Sequence, residues 1–260
     1  MQLELWKIVV LAVVQGVTEF LPVSSSGHLV IVAAILSGGN TEQLDVADVN
    51  IVLHLGTLGS VLVFYRHRVR ELLAGDWRTI GLVLLASVPA ACVGIPIVLF
   101  AKQWLSNPLL AGCMLTVTAA VLALASRTRP GNQEYQNLTW GKSLLIGVAQ
   151  ACAVLPGLSR SGTTISAGVY LGLRPQAAAT FSFLMAIVAI GGAGLIEAIS
   201  VFRHGLQTPW PDLLFGALIS FLVGLGALAM LMRLLEKGRF LIFAAWCLCS
   251  GVAIVGWYLR

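Results

Sequence analysis

Two polar stretches interrupt an otherwise apolar chain, and they are versions of one phrase. The first, Gln15 to His28 (QGVTEFLPVSSSGH), sets a carboxylate, three consecutive serines and a histidine inside continuous hydrophobic sequence. The second, Gln150 to Thr164 (QACAVLPGLSRSGTT), repeats it 135 residues on: Gln15 falls on Gln150, Ser24 on Ser159, Ser26 on Ser161 and Gly27 on Gly162. The pairs Leu21-Pro22 and Leu155-Pro156 slip by one, so the duplication is old. Proline lacks a backbone donor and drives the preceding residue out of helical geometry, so the helix carrying Glu19 is predicted to end near Leu21. Ser24, Ser25 and Ser26 are good N-caps and Gly27 permits a tight turn, so a second helix is predicted to run through LVIVAAIL. Neither arm reaches the ~20 residues that one bilayer crossing needs. The reading is a re-entrant helical hairpin with a buried polar tip. Broken helices at corresponding places in two halves point to a binding site where repeats meet, near the bilayer midplane. Kinks alone would not need serine-rich tips, Glu19 or Arg160.

Only 10% of the residues are charged, against ~25% in soluble domains. The chain therefore reads as one integral membrane domain, 1–260, an all-α polytopic protein. The five cysteines lie in apolar runs without metal spacing and are expected to pack in the membrane without disulfides. Lys7 and Glu19 interrupt the first apolar run, so a cleaved signal peptide is not expected. After the first hairpin comes a polar loop with Glu42, Asp45 and Asp48, then spans near Ile51–Tyr65, Thr79–Ala101 and Pro108–Ser126. After the second come spans near Gln176–Val201, Leu213–Met232 and Phe240–Leu259. Each half, 1–126 and 140–260, thus holds one re-entrant hairpin and three transmembrane helices. An odd number of crossings inverts the second repeat. With the acidic loop outside, eleven of the sixteen basic residues fall on the opposite side, which the positive-inside rule makes cytoplasmic. Topology accounts for the net charge of +5, and no nucleic-acid partner is implied.

Two hairpin tips entering from opposite sides aim two helix N-termini at one space. Helix N-termini carry unpaired donors and partial positive charge, so the space suits an anion such as phosphate. Arg160 adds a planar guanidinium fork; its bland alternative is a buried pair with Glu19. Glu19 itself suits a general base or a ligand to a divalent cation. Ser25 and His28, three apart at a helix start, can share a face and act as nucleophile and proton carrier. A serine triplet is also a common cap, and a lone membrane histidine is often only packing. His54 after the acidic loop can line the site or merely pack. His67 and His204 read as solvated loop residues, Glu197 as an interfacial carboxylate, and Gly191–Gly194 (GGAG) as close helix packing.

These residues resemble a known family. VTEFLPVSSSGH (Val17 to His28) and PGLSRSGTT (Pro156 to Thr164), together with LHLGTLGSVLVFYR (Leu53 to Arg66) and FSFLMAI (Phe181 to Ile187), are similar to the bacterial undecaprenyl pyrophosphate phosphatases of the bacitracin-resistance type. The resemblance implies a multi-pass enzyme of the bacterial cytoplasmic membrane, working at its outer face. It would remove the terminal phosphate of undecaprenyl diphosphate, recycling the lipid carrier for peptidoglycan and withdrawing bacitracin's target. It implies catalytic roles for Glu19, Ser25, His28 and Arg160. Substrate contacts fall on Gln15, Ser24, Ser26, Gly27, Ser159, Ser161, Gly162 and Thr164. A divalent cation, Mg²⁺ or Ca²⁺, is expected, with Glu19 as its ligand; Gln15 fits the motif's Glu-or-Gln position but leaves a single carboxylate. A proline expected near Val188 is missing. Sequence leaves open whether Ser25 attacks phosphorus or only binds phosphate, and whether the chain is a homodimer. The competing class is a polyprenyl-phosphate transporter or flippase, because inverted repeats with midplane breaks are also transporter architecture.

Overall fold

A computed structural model describes residues 4–37, 47–129, 131–204 and 208–259. The described residues are helical, apart from turns and one isolated bridge between Gln133 and Leu173. The first hairpin is α1 (Leu5–Thr18) and α2 (Ser25–Leu36). Then come α3 (Ala47–Phe64), α4 (Arg66–Leu73), α5 (Trp77–Phe100), the short α6 (Lys102–Leu105) and α7 (Pro108–Arg127). The second hairpin is α8 (Trp140–Cys152) and α9 (Arg160–Tyr170), followed by α10 (Pro175–His204), α11 (Trp210–Glu236) and α12 (Phe240–Tyr258). Five helices, α5, α7, α10, α11 and α12, are long and apolar enough to cross a membrane. A sixth crossing results if α3 and α4, bent by 77° at Tyr65, are taken as one broken span. This is a polytopic α-helical membrane protein. The helix α10 runs without a break through Val188, as expected where the proline is missing.

Lipid tails are as apolar as the helices they surround, so close van der Waals packing rather than water exclusion must hold such a bundle together. Small residues supply it. A side chain at Gly56 of α3 would lie 2.4 Å from the carbonyl oxygen of Ala217 on α11, so only glycine lets these two helices meet. Ser220 of α11 donates to Leu53 O (2.9 Å) and Ser60 of α3 to Phe221 O (2.7 Å), lacing the same pair. At the centre, Phe20 from the first hairpin tip meets Phe183 edge-on at 5.7 Å, and Phe183 meets Tyr65 at 6.1 Å. The FSFLMAI stretch thereby becomes the packing bed of the first hairpin. The basic links are fastened at their ends: Arg78 donates to the carbonyls of Gln136 and Leu138, and Lys142 to that of Leu171 (2.8 Å). Asp76 caps α5, accepting from Thr79 N (3.1 Å) and from Arg68 (2.6 Å).

Some expectations change. The helix carrying Glu19 ends at Thr18, not near Leu21, because the chain must reverse within six residues before α2. Glu19 thus stands at the helix end, free to face the opposite hairpin. The Gly-rich run does not close-pack throughout: Gly194 meets Leu55, but Gly191 and Gly192 face open space. All five cysteines are free. Most of the polar loop, residues 38–46, and the side chains of Glu197 and His204 lie outside what the structure describes, while 47–50, expected in that loop, already belong to α3.

Candidate active site

Both tips are built by one device. Ser24 caps α2 and accepts from Gly27 N (3.3 Å); Ser159 caps α9 and accepts from Gly162 N (3.0 Å). The first-turn N–H groups that remain have no intrahelical partner and leave each tip electropositive. Ser24 sits at φ 71°, a left-handed conformation that costs a serine energy and needs support. His28 gives that support, its Nδ1 lying 2.8 Å from Ser24 O. In the second hairpin Gly157, at φ 90°, presses against Ala111, and Thr118 of α7 donates to Gly157 O (2.8 Å) while accepting from Ser159 N (3.0 Å). The tips then dock: Ser161 donates to Leu21 O (3.2 Å), and Gly27 faces the Gly157 backbone.

Glu19 lies at the junction, 4% exposed in its side chain. Its Oε2 accepts from Ser25 Oγ (2.6 Å) and from Gln15 Nε2 (3.0 Å), and its Oε1 pairs with Nη2 of Arg160 from the other hairpin. His54 brings Nε2 to 3.6 Å of Oε2. A buried carboxylate is tolerable only when paired and hydrogen-bonded, and here Arg160, Ser25 and Gln15 meet that need. Two buried atoms beside it have no partner: Nη1 of Arg160 and Oε1 of Gln15. A cavity of about 620 Å³ opens onto this cluster. Glu19, Ser25, Ser26, His54 and Arg160 form its polar end, and side chains such as Leu11, Leu29, Val30, Leu53 and Ile190 its walls. Ala193 and Gly194 of the glycine-rich run line it too. A smaller polar pocket of about 40 Å³ lies between the tips, touched by Ser24, Ser26, Ser159 and Ser161.

The structure brings together Gln15, Glu19, Ser24, Ser25, Ser26, Arg160, Ser159 and Ser161. It does not bring His28 to Ser25. With Nδ1 on a carbonyl, which only accepts, the ring proton is on Nδ1; Nε2 then accepts from Trp246 Nε1 (3.0 Å), whose indole stacks on the imidazole. Both nitrogens are occupied, and His28 borders neither cavity. Thr164 also turns away, onto Arg160 O (2.7 Å) and Ser182 Oγ (2.6 Å). Gly27 and Gly162 serve the docking and capping of the tips. Two residues escaped the sequence reading. Thr57 receives Gln15 Nε2 (3.5 Å), and Thr118 organises the second tip. Polar residues in spans were their only signal.

The donor set does not suit a resident divalent cation. Among the described residues no three His, Cys, Asp or Glu side chains converge. Both oxygens of the single carboxylate are engaged, one by a guanidinium that competes directly with a metal ion.

A serine aimed into a buried carboxylate, an arginine from the facing hairpin and two helix N-termini at the mouth of an apolar cavity define an intramembrane site for a phosphorylated amphiphile. The comparisons agree. The family model described as "Bacitracin resistance protein BacA" matches residues 8–253. Proteins named undecaprenyl-diphosphatase are similar throughout: that of Rhodopirellula baltica is 42% identical over 99% of both chains. That of Halothermothrix orenii is 36% identical over 97% of this chain and 98% of its own, and that of Desulforapulum autotrophicum 35% over 96% and 97%. This chain belongs to the BacA bacitracin-resistance family.

Proposed function

We propose that this protein hydrolyses undecaprenyl diphosphate to undecaprenyl phosphate and inorganic phosphate, returning the carrier to envelope polymer synthesis and conferring bacitracin resistance. The observation that carries the reading is the Ser25 hydroxyl donating 2.6 Å to Glu19 between two helix N-termini, in a polar cluster lining a largely apolar cavity. The prenyl chain lies along the Leu- and Val-lined wall and continues into the bilayer. The terminal phosphate takes the polar end. Arg160 meets it with the unpartnered Nη1, and the first-turn N–H groups of α2 and α9 share its charge.

Ser25 Oγ attacks the terminal phosphorus as its proton passes to Glu19, and the bond to the lipid monophosphate breaks. Water then attacks the phosphoserine and regenerates Ser25. His28 holds the strained Ser24 and so aims Ser25, without carrying the proton. Mg²⁺ or Ca²⁺ enters as part of the diphosphate substrate, whose oxygens supply its coordination. The relatives are named for hydrolysis and none for transport, so the flippase reading is dropped.

The two halves, 1–126 and 140–260, are inverted repeats in this reading. The cavity touches Asn50 near the start of α3 and Ser106 in the link before α7, both on the side that the charge distribution places outside. The site therefore opens at the outer face of the cytoplasmic membrane. The test is phosphate release from undecaprenyl diphosphate in detergent by the wild type, Ser25→Ala and Arg160→Ala, with and without chelator. Release by the wild type and loss in both variants is the expected result. Folded wild-type protein that binds the lipid but releases no phosphate with any cation would sink the proposal.

A further inference from the structure

We infer that His54 is a positioning residue for Glu19, the station to which the proton leaving Ser25 is handed on. The inference rests on the phosphatase reading and follows from the hydrogen-bonding inventory around one carboxylate. Once Glu19 has taken the serine proton it is a carboxylic acid, and its new O–H needs an acceptor. Gln15 turns the N–H end of its amide to Oε2, its carbonyl oxygen taking no part in that contact, and Arg160 presents a guanidinium, which only donates. Ser25 Oγ is by then bonded to phosphorus. Of the side-chain atoms set against Oε2, His54 Nε2, at 3.6 Å, is the one that offers a lone pair.

The tautomer suits that task. His54 Nδ1 lies 2.7 Å from Asn50 O, and a carbonyl only accepts, so the neutral ring carries its proton on Nδ1 and a lone pair on Nε2. Two acceptors then face each other across 3.6 Å, an arrangement that one added proton converts into an attraction. Thr57, which donates to His54 O (2.9 Å) and accepts from Gln15, holds the histidine and the glutamine to one frame. The charged groups facing His54 are Glu19 and, behind it, Arg160. The described residues that α10 and α11 set against this part of α3, Gly194, Gly216, Ala217 and Ser220, carry none. The His54 side chain is 28% exposed against 4% for Glu19, so the proton reaches water through the cavity.

The step balances. The Oγ–P bond forms, the P–O bond to the lipid monophosphate breaks, and its electron pair leaves on the monophosphate. The serine proton goes to Glu19, then to His54 Nε2, then to water. Glu19, again a carboxylate, takes a proton from the attacking water and returns it to Oγ as the O–P bond of the phosphoserine breaks. The net reaction releases lipid monophosphate, inorganic phosphate and one proton.

The experiment is steady-state phosphate release from undecaprenyl diphosphate for the wild type, Ser25→Ala, His54→Gln and His54→Ala, the last with and without added imidazole. His54→Gln is expected to lower kcat by about 10²-fold, the scale of a lost acid–base partner, with KM little changed. Imidazole restores part of the rate to His54→Ala, which a purely structural role would not allow. A His54→Gln protein with wild-type kcat, beside an inactive Ser25→Ala, overturns the inference and leaves the phosphatase reading standing. A wild type that releases no phosphate, or a Ser25→Ala protein as active as wild type, overturns both.

Discussion

Replacing Gly27 with alanine tests whether the docking of the two tips sets the chemistry. A Cβ at Gly27 would stand 2.8 Å from Gly157 Cα and 3.0 Å from Gly157 N, both backbone atoms. Ordinary contact begins at 3.4 Å, so the tips must part by at least about 0.6 Å. Gly157 cannot yield. On its other side it presses on Ala111, where an added Cβ would lie 2.1 Å from a carbonyl oxygen, and its own carbonyl is held by Thr118. The shift therefore falls on the first tip, and carries Ser25 away from Arg160. Overpacking of this kind costs about 1–3 kcal/mol, and a displacement near 1 Å costs about 10²-fold in rate. The expected result is a loss of roughly 10- to 100-fold in kcat for phosphate release, with a lower unfolding temperature in detergent. Gly226→Ala is the control, because nothing lies within 4 Å of a Cβ there. A Gly27→Ala enzyme as fast as the Gly226→Ala control would refute the claim that tip separation controls the reaction.

Two further substitutions probe the supports of the site and of the helix ends. Trp246→Phe keeps an aromatic side chain, smaller than the indole, and removes the N–H donated to His28 Nε2; it should cost about 0.5–1.5 kcal/mol in thermal unfolding and slow phosphate release only a few-fold. The pH–rate profile should not move, and a moved profile would make His28 a proton carrier after all. Asp76 caps α5 outside the membrane; burial pushes its carboxyl up, but hydrogen bonds from Thr79 and the Arg68 guanidinium hold it below its ordinary value. Its stabilisation is therefore fully present above the ordinary carboxylate pKa and is lost as pH falls through the depressed one. Asp76→Ala should cost about 1 kcal/mol at neutral pH and less at pH 3, read from unfolding temperatures; an equal loss at both would contradict the assignment.

Much of the site was legible in the chain because its chemistry is local. Ser24 and Ser159 cap their helices because a serine before a helix satisfies an orphan N–H, wherever the helix lies. Glu19 and Arg160 stood out because an unpaired charge inside a bilayer is too costly to keep, and each is the other's partner. The 135-residue shift even states the division of labour: Ser25 falls on Arg160 and Glu19 on Val154. One tip brings the nucleophile and base, the other the cation.

The histidines were not legible. His28, three residues from Ser25 on the same helix, has the spacing of a partner, yet α12 sets Trp246 against it and Ser24 O takes its other nitrogen. His54 could be read from the sequence only as a residue that lines the site or packs; it lines the cavity, and it reaches Glu19 because Gly56 and Ser220 let α3 pack closely on α11 beside α1. Likewise the cavity wall at Gly194 and the clamp at Thr118 exist only between helices far apart in sequence. The sequence by itself determined the membrane class, the two broken hairpins, their caps and the buried charge pair, since helix ends and the cost of an intramembrane charge depend on neighbours along the chain. Tertiary structure alone decided which histidine faces the carboxylate and how far apart the tips stand, because side chains from different helices meet at distances that only the packing of whole helices fixes.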